Sequence, residues 1–253
     1  MNIVRDLLKS GKTVVGTAGR IDADMATMAD AGWDFLLYDS QHSPVEVKQM
    51  LPSIQSIIGK KALPIIRVSA NQPDIICFAL DVGAMGVVVP MVNTKEEAEA
   101  IVRAAKYAPL GDRSHAGPRG QFGEASDYRK YLDMVNEEII LIPMIETQQA
   151  VDNIDEILSV PGIDVALIGP SDLAIEVNLE SNDIMNMQSP AYEKALDTIA
   201  AACKRHGVVP GMYYIPTEID ANWFVDKGYK FFTMQSAGWL TEGIQNGLSK
   251  ITR

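Results

Sequence analysis

Short apolar runs rich in Val and Ile alternate in this sequence with longer stretches of helical period, the pattern of a parallel sheet whose strands are joined by crossover helices. Eight such runs can be counted, at 14–17, 35–39, 64–68, 86–92, 139–146, 165–169, 208–214 and 229–235. Helical segments are expected at 23–31, 44–58, 73–82, 95–107, 150–158, 192–206, 218–227 and 240–251. Eight strand–helix repeats in 253 residues predict a closed (β/α)8 TIM barrel, with residues 1–253 forming one domain.

Several helices carry their own punctuation. Asn93-Thr94 precedes an acidic first turn, Glu96-Glu97, while Gly32 and Gly207 follow the ends of two helical stretches. The regular spacing is interrupted at 108–124, rich in Gly, Arg and Pro, and at 178–190. Loops of that length in a barrel are expected to cover an active site or form an interface.

Composition narrows the function. A 47% apolar, 22% charged chain is globular, and 22 basic against 33 acidic residues leave a charge of −11, which argues against nucleic acid as a partner. Cys77 and Cys203 lie far apart on apolar helical stretches and read as small core side chains in a reducing compartment. No apolar run approaches the roughly 18 residues of a membrane span, and Met1-Asn2-Ile3-Val4-Arg5-Asp6 does not open a secretory signal. A cytoplasmic protein with no membrane partner is expected.

In such a barrel the reactive groups sit at the carboxyl ends of the strands. A polar residue ending an apolar run is therefore informative. The second run ends Asp39-Ser40-Gln41-His42, the third at Arg67, the fifth at Glu146, and the sixth leads into Gly169-Pro170-Ser171-Asp172. Glu146 and Asp172 are about one repeat apart and are expected to face each other across adjacent strand ends. Two oxygen donors with room for water and substrate suit Mg2+ or Mn2+ better than zinc. The alternative is an N-capping Asp172 and a rim-exposed Glu146. The segment holding Gly169, Ser171 and Asp172 opens a helix, whose backbone N–H groups can receive a substrate carboxylate.

Arg67 has two readings, as a ligand for an acidic substrate or as the ion-pair partner of Asp39 on the neighbouring strand. His42 stands where an acid or base would be productive, whereas His115 in a polar loop and His206 at a helix end read as structural. A Schiff-base lysine must lie desolvated inside the barrel, yet the only lysine in a predicted strand is Lys230, at the start of the eighth. Imine chemistry is disfavoured. The loops Ile215-Pro216-Thr217 and Ser236-Ala237-Gly238 lack a glycine-rich phosphate cradle, which points to a carboxylate rather than a sugar phosphate.

These residues have a family resemblance. The run from Asp34 through Tyr38-Asp39-Ser40-Gln41-His42 to Pro44 resembles the strand-two motif of the HpcH/HpaI aldolases, metal-dependent class II pyruvate aldolases. So do Pro64-Ile65-Ile66-Arg67-Val68, the stretch from Leu80-Asp81 to Val92, Tyr107-Ala108-Pro109-Leu110-Gly111-Asp112-Arg113-Ser114, and the stretch from Ile142 to Leu173. The resemblance implies reversible cleavage of 4-hydroxy-2-oxo acids to pyruvate and an aldehyde, with a divalent cation (Mg2+, Mn2+ or Co2+) on Glu146 and Asp172. It further implies that Arg67 contacts the keto oxygen and that His42 and Asp81 form an acid–base dyad.

Two departures stand out: Gln41 where the family has a Glu before the catalytic His, and Ser236-Ala237-Gly238 where it often has an Asp. They motivate a second reading, a 2-oxo acid binding protein with a degenerate site. A third is an acyl-CoA lyase of the malyl- or citramalyl-CoA type, which needs a basic nucleotide surface that Arg113 and Arg119 alone would have to supply. Helices return from the carboxyl face, and 73–81 covers roughly 12 Å at about 1.5 Å per residue. Asp81 is therefore expected too far from His42 within one chain, so the family dyad predicts a site shared between subunits of a homo-oligomer, a hexamer or other even assembly.

Overall fold

The structure, a computed structural model, describes residues 2–21, 24–119, 122, 126–215 and 219–249. Eight parallel strands close into a barrel in chain order: β1 (Val14–Gly19), β2 (Phe35–Asp39), β3 (Leu63–Arg67), β4 (Gly86–Val89), β5 (Ile140–Ile145), β6 (Val165–Ile168), β7 (Val209–Met212) and β8 (Phe231–Met234). Each falls on one predicted run, but most stop short of its end. The apolar residues continue into the turns at the carboxyl face, as in Val92, which is buried beyond the last paired position of β4 and β5. The (β/α)8 expectation holds.

The barrel interior is filled by Phe35, Leu37, Ile65, Val88, Ile140, Ile142, Met144, Val165, Leu167 and Phe231. Phe35 and Phe231 stack across it at 4.5 Å. A Cβ on Gly16 would come within 2.4 Å of the Phe35 ring, so this layer needs glycine there.

The crossover helices are α2 (Met25–Asp30), α3 (Val47–Ile57), α4 (Pro73–Asp81), α5 (Lys95–Ala105), α7 (Gln148–Asp152) with α8 (Ile154–Leu158), α10 (Pro190–His206), α11 (Ala221–Asp226) and α12 (Ala237–Ser249). Thr94 and Glu97 form the capping box that starts α5, and Gly207, at φ +68°, ends α10. Ala23, Pro216-Thr217, Glu218, Ile251 and parts of 108–124 lie outside the described residues.

Three helices depart from the sequence reading. α1 (Ile3–Lys9) closes the amino end of the barrel, where Val4 and Leu8 join the interior layer and Asn2 Nδ2 donates to the carbonyls of Met85 and Glu138. α6 (Tyr128–Glu138) fills the stretch before β5; its exposed face is strongly polar, which hides the period of Tyr131 and Val135. α9 (Pro170–Val177) follows β6 directly, and the loop after it is pinned by buried Asn178 to Ser189 and Asn186.

The first half of the 108–124 loop packs against α4 and α5: Asp112 and Arg113 N–H groups donate to the carbonyls of Arg103 and Lys106. It does not cover its own barrel's mouth. Among the described residues, no helix is long and apolar enough to cross a membrane.

Candidate active site

The ladder registers assemble the site. Asp39 and Arg67 are paired positions of β2 and β3, and Ile145 pairs with Ile168, so Glu146 and Gly169 emerge side by side. Arg67 donates from Nε to Asp39 Oδ1 (2.8 Å) and from Nη2 to Oδ2 (2.6 Å). Burial pushes the Asp39 carboxyl up, but the hydrogen bonds and charge of Arg67 outweigh it and hold the carboxyl below its ordinary value. Among the described residues, the hydrogen-bond partner of Arg67 Nη1 is the Met144 sulfur, at 4.0 Å.

Glu146 is 2% exposed, so the rim-exposed alternative does not describe it. Its Oε1 accepts from the Met91 N–H at 2.7 Å, and Met91 adopts φ +55° there, an uncommon backbone for a side chain larger than glycine. Burial, and then the charge of Asp172, push the Glu146 carboxyl up, against the Met91 hydrogen bond and the charges of Arg67 and His42. Glu146 thus feels the charges of Asp172, Arg67 and His42 at one mouth. A Cβ on Gly169 would fall 2.2 Å from Glu146 Oε2, so only glycine leaves that carboxylate its place.

Asp172 and Ser171 are exposed in the first turn of α9, with Gly169 as N-cap. His42 is exposed in the turn after β2, its N–H 3.5 Å from Asp39 Oδ1. Gln41 donates its N–H to the same oxygen (2.9 Å), and its own side-chain oxygen is buried without a hydrogen-bond partner among the described residues. The donor set suits a hard cation: a Glu146 carboxylate that burial and the charge of Asp172 disfavour when bare, with the exposed Asp172 carboxylate as a second oxygen donor. Among the described residues no group of three or more His, Cys, Asp or Glu could hold a metal, so water and substrate would complete the ligation.

Asp81 is not part of this cluster. It ends α4 toward the amino face, where Arg113 Nη2 (3.0 Å) and Arg119 Nη2 both donate to Oδ1. Cys77 Sγ lies 3.9 Å from Oδ2, so Cys77 is a half-buried cleft residue rather than the core side chain expected, whereas Cys203 is fully buried. His115 sits edge-on to Tyr107 and Tyr128, and His206 pairs with Asp155 at 2.9 Å.

Sequence reasoning missed two residues. Tyr213 follows β7 and lays its ring on the Arg67 guanidinium, with Cζ 4.1 Å from the centroid; it stands one residue before the end of the seventh apolar run, so the strand-end filter could have found it. Lys106 is the buried lysine, brought down to about 8 by burial, but its Nζ donates to the carbonyls of Asn136 and Ile139 beside the start of β5, the face opposite the mouth. Lys230 Nζ is likewise held at the amino end, by Gly11 O at 2.7 Å.

Residues 17–240 match the family model described as HpcH/HpaI aldolase/citrate lyase. A 5-keto-4-deoxy-D-glucarate aldolase of Shigella boydii is 34% identical over 208 residues, 81% of this chain and 78% of that protein. An HpcH/HpaI aldolase/citrate lyase family protein from Burkholderia cenocepacia superposes with a TM-score of 0.84 at 27% identity, covering 99% of each chain. An HpcH/HpaI aldolase from Desulfitobacterium hafniense does so with a TM-score of 0.83 at 25% identity, covering 97% of this chain and 96% of the other.

Proposed function

Because the chain belongs to the HpcH/HpaI aldolase/citrate lyase family, we propose that it is a class II, divalent-metal-dependent aldolase that reversibly cleaves 4-hydroxy-2-oxo acids to pyruvate and an aldehyde. The observation that carries this reading is Glu146, a buried carboxylate pushed up by burial and by Asp172 beside it. Mg2+, Mn2+ or Co2+ held by Glu146 and Asp172 would turn that repulsion into ligation and act as a Lewis acid on the 2-oxo group.

The chain's own residues have separable tasks. Arg67 Nη1, the donor not engaged by Asp39, would stabilise the charge that grows on the 2-oxo oxygen. The N–H groups around Gly169 and Ser171 would receive the substrate carboxylate. His42 would take the C4 hydroxyl proton as the C3–C4 bond breaks; the bond's electron pair passes to C3 and the 2-oxo group as enolate, and C4 leaves as the aldehyde. A proton returned to C3 completes pyruvate. Asp81 would orient His42 of a neighbouring copy, making the enzyme an even homo-oligomer such as a hexamer with its sites at subunit interfaces.

The acyl-CoA reading is weaker, because Arg113 and Arg119 are engaged by Asp81 and not free for a nucleotide. The test is pyruvate release, coupled to lactate dehydrogenase, from a panel of 4-hydroxy-2-oxo acids that includes 5-keto-4-deoxy-D-glucarate, with and without Mn2+. Cation-dependent release supports the proposal. Cleavage of a malyl- or citramalyl-CoA thioester instead, or pyruvate binding without turnover of any substrate, would favour the other readings.

A further inference from the structure

One edge of the Arg67 guanidinium, Nε and Nη2, is hydrogen-bonded to Asp39, yet such a pair still rocks about its own axis unless something holds the plane. Tyr213 supplies that support. Its N–H donates to Ile168 O at the end of β6 (3.0 Å), which fixes the residue at the mouth, and its ring lies 4.1 Å from Arg67 Cζ. Arg67 is 5% exposed, so little water competes with the ring face. The stacking leaves Nη1 as the open donor, with no stronger partner among the described residues than the Met144 sulfur. Burial pushes the Tyr213 hydroxyl up to about 12, so the ring stays neutral at working pH.

We infer that Tyr213 is a positioning residue, whose ring holds the Arg67 guanidinium plane so that Nη1 faces the reacting oxygen. This rests on the aldolase reading above. The competing role is that of a filler, since Tyr213 also packs against the barrel interior cluster.

Tyr213→Phe keeps the ring and Tyr213→Leu removes it while filling much of the space. In the aldolase assay the Phe variant should stay within about threefold of native kcat. The Leu variant should lose roughly ten- to thirtyfold in kcat with KM changed by less than about twofold, because the ring steadies a donor that serves the transition state more than the bound substrate. In an Arg67→Lys background, Tyr213→Leu should cost little more, since no guanidinium plane remains to be held.

Equal activities of native, Phe and Leu proteins would overturn the inference, as would equal losses in Phe and Leu. If Tyr213→Leu does not fold, Tyr213→Met takes its place, and activity lost only in step with melting temperature would assign Tyr213 to packing. Crystal structures of the native and Leu proteins read the same point without turnover. Arg67 should leave its bidentate pairing or tilt in the Leu variant, and an unmoved guanidinium would refute the positioning role even if the native protein proved not to be an aldolase.

Discussion

Arg67 and Asp39, opposite each other on neighbouring strands, share two hydrogen bonds of 2.8 and 2.6 Å, so the ion pair and the substrate-facing role of Arg67 coexist in one side chain. Arg67→Lys keeps the charge and loses the planar fork. It should lower kcat by roughly 10²–10³-fold while melting falls by only a few degrees. Arg67→Met, which leaves the half-buried Asp39 carboxylate unpaired, should cost about 3 kcal/mol or more of stability. Normal kcat in a Lys variant with collapsed melting temperature would reduce Arg67 to an ion-pair partner.

Gly169→Ala places a methyl group where Glu146 Oε2 now lies. The carboxylate must move, so the concentration of Mn2+ needed for half-maximal activity should rise at least about tenfold and kcat should fall about 10²-fold. Unchanged Mn2+ dependence would show that Glu146 has another position from which to serve.

Lys106 gives stability a pH signature. Its folded-state value of about 8 lies below the 10.5 expected when unfolded. Between these values the unfolded chain holds a proton that the folded chain has released, so this group raises stability as pH rises from about 8 to 10.5, by about 3 kcal/mol in all. Urea unfolding of native protein and Lys106→Met at pH 7.5 and pH 10 should show their stability difference shifting by that order in favour of native protein. A difference independent of pH would mean that the Lys106 ammonium is not destabilised by burial.

The place of Asp81 at the far end of α4 from the mouth makes subunit sharing testable. His42→Ala and Asp81→Ala should each be inactive. Hybrids formed after dissociation and reassociation should recover part of the native activity, because some interfaces pair an intact His42 with an intact Asp81. Verified mixed oligomers without activity would refute the shared site.

The barrel was legible because its strands are buried on both faces and read as unbroken Val- and Ile-rich runs, as in Ile140–Ile145. Strand-end position also marked Arg67, Glu146 and His42 without a structure. The elements that escaped lack such a signal. α1 is short and closes the barrel through Val4 and Leu8 with Leu7 beside them, and α6 buries little beyond Tyr131 and Val135. Tyr213 differs from these helices, since it stands near a strand end; what spacing along the chain does not encode is that it stacks on Arg67 from four strands away. Lys106 escaped because nothing in its sequence neighbourhood announces that two carbonyls from α6 and the start of β5 close over it.

The most direct measurement is a Mn2+ titration of chelator-stripped protein, followed by pyruvate release from the best 4-hydroxy-2-oxo acid, for native protein, Glu146→Gln and Asp172→Ala. Native protein should be inactive without the cation and recover fully on its addition, while both variants stay at least about 10³-fold less active at saturating Mn2+ with unchanged melting temperatures. Full native activity in excess chelator, or variants that match native protein, would contradict a cation held by Glu146 and Asp172 as the centre of this site.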